Sequence, residues 1–93
     1  MAYSVSWNEE KNAGLLRKYG FGYERVLVAL QEDGFLDDRR HPNGERYKHQ
    51  RQLLVRIEGY VYVIPYVLTE NAIFFKTMFP SRKAAKQYLQ HEQ

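Results

Sequence analysis

The chain has 93 residues and no cysteine. Disulfides and thiolate metal sites are thereby excluded, and a reducing compartment suits the composition. Long apolar runs are lacking as well. The longest, YVYVIPYVL at 60–68, is far too short to cross a bilayer as a helix. No apolar stretch follows a basic start, as a secretory leader would require, so the expectation is a cytoplasmic protein with no membrane partner. There is no glycine-rich phosphate loop and no Ser or Cys nucleophile motif. His41, His49 and His91 stand at no metal-ligand spacing such as HExxH. No metal and no cofactor is expected. Repeats, low-complexity tracts and linkers are missing too, which leaves one domain spanning 1–93.

What is present is positive charge, unevenly spread. The net charge is +3. Residues 1–38 carry four basic and seven acidic groups, a balance of −3, whereas 39–93 carry ten basic and four acidic, a balance of +6. The segment RRHPNGERYKHQR, 39–51, holds five Lys or Arg, two of the three histidines and one acid, Glu45. Pro42 and Gly44 break regular structure within it. This asymmetry fits a polyanionic partner, most simply nucleic acid. A solvated surface that keeps the protein soluble is the alternative.

Residues 8–18 predict a helix. Asn8 can cap it, Glu9 and Glu10 suit its positive end, Trp7 can staple onto its apolar face, and Gly20 can end it. In FGYERVLVALQEDG, Phe21, Val26, Leu27 and Leu30 recur at helical spacing, and Gly34 stops the run. The period then changes. FLDDRR predicts a short strand, and the basic segment follows as a long loop. RQLLVRIE alternates, with Leu53, Val55 and Ile57 on one face. Glu58-Gly59 makes a hairpin turn. YVYVIPYVL returns, with Pro65 marking an edge or a bulge. AIFFKTMF predicts another strand, and Ser81 caps a final helix. The fold expected is α+β: two N-terminal helices, an antiparallel meander of three to four strands and a C-terminal helix.

These elements bring polar side chains to the second half: His41, Glu45, Arg46, Tyr47, His49, Gln50 and Arg51 in or beside the loop, Lys76 from the last strand, Arg82 and Lys83 at the last helix. RNA can be cut by such groups without metal. A base takes the proton of the 2′-hydroxyl, fixed cations hold the phosphorane, and an acid protonates the leaving 5′-oxygen. Each residue also has a plain reading. His41 and His49 suit an ordinary turn, Lys76 a solvated strand position and Arg82 simple exposure. Tyr60, Tyr62 and Tyr66 share a face that either packs beneath the helices or stacks unpaired bases.

WNEEKNAGLLRKYGFGYERV resembles the start of BrnT-family toxins, with Trp7, Lys11, Lys18 and Gly20 matching; Asn8 and Tyr19 replace that family's usual Asp and His. HPNGERY looks like its His-containing loop, with Gly44, Glu45 and Arg46, and FKTMFPSRKAAKQY resembles its basic strand and Arg-bearing final helix. The resemblance implies a RelE-like fold and a toxin of a type II toxin–antitoxin system, a ribonuclease that arrests translation. It implies an RNA substrate and hetero-oligomers with a cognate antitoxin, often a ribbon-helix-helix DNA-binding protein. Carried over, His41, Glu45, Arg46, Lys76 and Arg82 would be catalytic. Arg39, Arg40, Tyr47, His49, Arg51 and Lys83 would bind RNA. A non-catalytic module of the same fold, binding nucleic acid or antitoxin, and a basic face for an acidic protein are the alternatives.

Overall fold

The structure, a computed structural model, describes residues 4–89. Strand β1 (Ser4–Trp7) leads into helices α1 (Glu9–Tyr19) and α2 (Tyr23–Gln31). Strands β2 (Phe35–Arg40), β3 (Gln50–Ile57), β4 (Tyr60–Leu68), β5 (Ala72–Phe75) and β6 (Phe79–Pro80) follow, and helix α3 (Arg82–Leu89) closes the described chain. The fold is α+β, with three helices and a mixed six-stranded sheet in the order β1-β5-β4-β3-β2, β6 pairing with β4. Among the described residues no helix is long and apolar enough to cross a membrane.

The helix ends obey the local signals. The Asn8 side chain accepts the Lys11 N–H at 2.9 Å, and Gly20, at φ 87°, donates its N–H to Leu16 O. The turn to α2 is fixed by a group that pattern alone does not reveal. Buried Asn12 accepts the Tyr23 N–H at 2.7 Å and donates from Nδ2 to both Glu24 oxygens, at 3.0 and 3.1 Å. A Cβ at Gly22 would run into Asn12 Oδ1. The buried face of α2 is Tyr23, Val26 and Ala29; of the expected series Val26 is buried and Leu27 packs against the core, whereas Phe21 and Leu30 do not belong to the buried face of the helix. Phe21 precedes the helix and meets Tyr62 edge-on at 5.2 Å, and Leu30 is exposed. The helix stops at Gln31, short of Gly34.

The antiparallel meander runs from β2 to β5. The expected turn is there, with Glu58 and Gly59 both at positive φ, the geometry that fits strand twist in a two-residue hairpin. Two strands lie outside the expected order. β1 pairs in parallel with β5, Trp7 opposite Phe75, and their rings stack at 6.1 Å. The expected strand 72–79 is split into β5 and β6. Pro65 O accepts the Lys76 N–H at 2.8 Å, so the nitrogen of Pro65, which carries no hydrogen, faces the same edge. The ladder breaks there and resumes at Val63 and Phe79. This is the bulge that a proline inside a strand demands, and it lets Met78 turn into the core, 2% exposed.

Each face of the sheet carries its own core, because alternate strand residues point to opposite sides. Leu15, Tyr23, Val26 and Ala29 from α1 and α2 pack on Val55, Ile57, Ile64, Tyr66 and Phe75. On the other face Ala84 and Ala85 of α3 pack on Leu54, Val61 and Val63. Ser81 Oγ caps α3 by accepting the Ala84 N–H at 3.1 Å. The Tyr88 hydroxyl donates to Asp37 on β2 at 2.5 Å and anchors the far end of the helix.

Gly34 is where α2 meets the sheet. Its N–H donates to Ala29 O and its carbonyl accepts the Arg56 N–H at 2.7 Å. An added Cβ would stand 2.8 Å from Arg56 O and 2.9 Å from Ala29 Cβ, and backbone cannot yield as a flexible side chain would. Gly34→Ala should therefore cost about 1–3 kcal/mol of stability by overpacking, read as a lowered midpoint in urea denaturation. An unchanged midpoint would show that this close approach is not a constraint.

Candidate nucleic-acid interface

The ends of β2 and β3 position the basic segment. Arg39 pairs in register with Gln52, and Arg40 with Arg51. The connection between them is closed by its own backbone. His41 N–H binds Gln50 O, Tyr47 N–H binds Asn43 O at 3.0 Å, and Gln50 N–H binds Tyr47 O at 3.1 Å. His49 O accepts from Leu68 N–H at the end of β4. The loop is thus tied to two strands, although Pro42 and Gly44 forbid regular structure within it.

A cleft of ≈ 150 Å³ opens here, lined by Arg40, His41, Tyr47, Lys48, His49 and Arg51 among others. It adjoins a broader hollow lined by Arg40, His41, Gly44, Glu45 and Lys48. The His41 ring lies 4.3 Å from the Tyr47 ring, and the Arg46 guanidinium sits 5.6 Å from the same ring. His41 Nδ1 accepts the Asn43 N–H at 3.0 Å. In the neutral ring the proton is then on Nε2, which presents a donor rather than a lone pair. Among the described residues no carboxylate hydrogen-bonds either histidine of the cleft, and no cluster of His, Asp or Glu could hold a metal ion. His91 lies outside the described residues.

Beneath the cleft, Asp38 joins three strands. Arg51 donates from Nε to Asp38 Oδ1 and from its terminal nitrogen to Asp38 O, both at 3.2 Å, and the Tyr66 hydroxyl donates to the same Oδ1 at 2.8 Å. The Asp38 bond holds the Arg51 guanidinium more firmly in its charged form. Burial, with Asp38 second, pushes the Tyr66 hydroxyl above the ordinary range. On the opposite face the Tyr88 hydrogen bond, then the Asp38 N–H, holds the Asp37 carboxyl below its ordinary value, and the same bond raises Tyr88.

The structure gathers some of the sequence-selected residues and separates others. His41, His49, Arg40, Arg51 and Tyr47 line the cleft, Glu45 lines the adjoining hollow, and Arg46 covers Tyr47. Arg39 and Lys83 line a separate groove against α3. Lys76 and Arg82 are exposed and line neither. Lys76 lies beside Pro65, and Arg82 follows Ser81, whose N–H binds Val61 O. Those registers are roughly 13 Å apart along β4. Tyr66 and Tyr62 pack with the core, as the plain reading of the tyrosine face expected. Sequence reasoning passed over Lys48, which its place in the basic run could have flagged, and Asp38, which depends on a register no pattern reveals.

Comparison with known protein families, with curated proteins and with solved structures finds no match to this chain.

Asp38→Ala should cost about 1–2 kcal/mol in chemical denaturation. The Asp38–Arg51 pair is about a third exposed and contributes little by itself; the hydrogen bond from buried Tyr66 supplies most of the loss. Tyr66→Phe should overlap with it, so the double variant loses less than the two single losses together. Strict additivity would show that Asp38 and Tyr66 do not act as a unit.

Proposed function

We propose that this protein is a metal-independent endoribonuclease of BrnT-like, RelE-like character, the toxin of a type II toxin–antitoxin pair, and that the loop cleft is where it holds RNA. One observation carries the reading: both described histidines converge on a single cleft with Arg40, Lys48 and Arg51. Cations fixed before the reaction stabilise the charge that develops on the phosphorane, and an open rim suits a flexible strand.

In this reading His49 takes the proton of the 2′-hydroxyl as its oxygen attacks the adjacent phosphorus. His41, with its Nε2–H directed by the Asn43 bond, donates to a phosphoryl oxygen alongside the three cations. The P–O5′ bond breaks, and the Lys48 ammonium gives its proton to the leaving oxygen. Tyr47, whose ring packs at a tilt against His41, offers a face to an unpaired base. An antitoxin would neutralise the protein by covering this cationic cleft, giving a hetero-oligomer. Lys76 and Arg82, which the resemblance makes catalytic, have no part in the step because neither lines the cleft.

A second reading also has an observation in its favour. Neither histidine is oriented by a carboxylate, the device that commonly holds a catalytic imidazole, and this suits a module that binds RNA without cutting it.

The test is RNA integrity in excess chelator, with growth followed on expression. The expected result is cleavage that survives chelation, growth arrest, and a loss of about a hundredfold or more in rate for His49→Ala and Lys48→Ala. Both residues are exposed, so their stability should change by less than about 0.5 kcal/mol. RNA bound but uncut would establish the second reading. Activity restored only by added divalent ion would overturn the metal-free mechanism.

A further inference from the structure

The cationic surface does not end at the loop cleft. A groove of ≈ 260 Å³ lies between the end of β2 and α3, with Arg39, Arg40 and Pro42 on one side and Lys83 and Gln87 on the other. Arg40 lines both the groove and the loop cleft. The alternation of β2 sends its neighbours to opposite faces: Asp38 meets Arg51 and Tyr66 on the α1–α2 side, whereas Asp37 meets Tyr88 of α3. Arg39 therefore shares the α3 side with Asp37, and Arg40 the cleft side with Asp38. The two cavities lie on different faces and meet around the exposed end of one strand.

Among the described residues no carboxylate lines the groove. Asp37, on the same side of β2 as Arg39, accepts from the Tyr88 hydroxyl and the Asp38 N–H. It also faces Arg39, but the Arg39 Nε is engaged by Gln52 Oε1 at 3.1 Å, which holds that side chain in place along the sheet. Lys83 and Gln87, one helical turn apart, are exposed. The groove therefore offers Arg39, Arg40 and Lys83 as cations and Gln87 as an amide beside the small apolar side chains of Pro42 and Ala84, and this excess of positive donors suits a phosphodiester backbone.

We infer that the cleft and the α3 groove are two parts of one track for single-stranded RNA, which bends around the end of β2 at Arg40. The inference rests on the RNA reading of the cleft and adds the substrate class. A rigid A-form duplex cannot turn across a strand end from one sheet face to the other, whereas a flexible single strand can, its phosphates following the cations. Arg40, shared by both cavities, is the pivot.

The test compares a dinucleotide, a single strand of about ten nucleotides and the matching duplex, by fluorescence anisotropy with the intact protein. Wild type should prefer the longer single strand to the duplex. Lys83→Glu and Gln87→Glu should each weaken that strand about tenfold while weakening the dinucleotide less than about twofold, with thermal midpoints preserved. Lys48→Glu, in the cleft, should weaken both single-stranded probes. If the groove variants weaken neither probe while Lys48→Glu weakens both, the track is wrong and the cleft stands. If the duplex binds as tightly as the single strand, the substrate class is wrong. If no RNA binds wild type, the reading of the cleft fails together with the track.

Discussion

Asp38 is the interaction on which the candidate site depends. It stands on β2 and accepts from Arg51 of β3 and from the Tyr66 hydroxyl of β4. Arg40 and Arg51 are directly opposed in the β2–β3 register, and like charges so placed repel. Asp38 offsets that repulsion by engaging Arg51. Arg40 is left with no carboxylate partner among the described residues. One acid thus fixes the strand ends and leaves cations facing outward at the connection they support.

The rest of the architecture makes that end available. Helices α1 and α2 cover the apolar part of one face, over Val55, Ile57 and Ile64. Toward the loop the same face becomes Arg51, Asp38 and Arg40, which cannot be buried beneath apolar side chains without large cost. Helix α3 crosses the other face, where Ala84 and Ala85 permit close approach to Leu54, Val61 and Val63. The bulge at Pro65 sets where the chain leaves β5 and re-enters the sheet as β6, and so where α3 begins. The basic loop is left at an uncovered end of a sheet that is supported from both sides.

Much of this was legible because it is local. Asn8, Gly20, Glu58-Gly59 and Ser81 act within a few residues of themselves, and their conformations follow from residue type. The alternation of β3 and β4 correctly assigned Leu53, Val55 and Ile57 to one face and the tyrosines to its continuation. Strand β1 was not legible: four mostly exposed residues carry little pattern, and their partner β5 lies more than sixty residues away. The α2 face was misjudged because Ala29, rather than Leu30, lies against Gly34. In the site, the basic run placed the loop histidines, Arg40 and Arg51 together. Lys76 and Arg82 are six residues apart in sequence, and the break between β5 and β6 sets their registers about 13 Å apart along β4.

Whether the loop cleft is where RNA makes contact is tested most directly by backbone amide chemical shifts on titration with a short single-stranded RNA. The amides of His41, Asn43, Gly44, Tyr47 and Gln50 should move together and saturate together. Those of Glu58 and Gly59, at the hairpin closing the opposite end of β3 and β4, should stay in place. Shifts at that hairpin or over α1 and α2, with the loop amides unmoved, would contradict the assignment of the site.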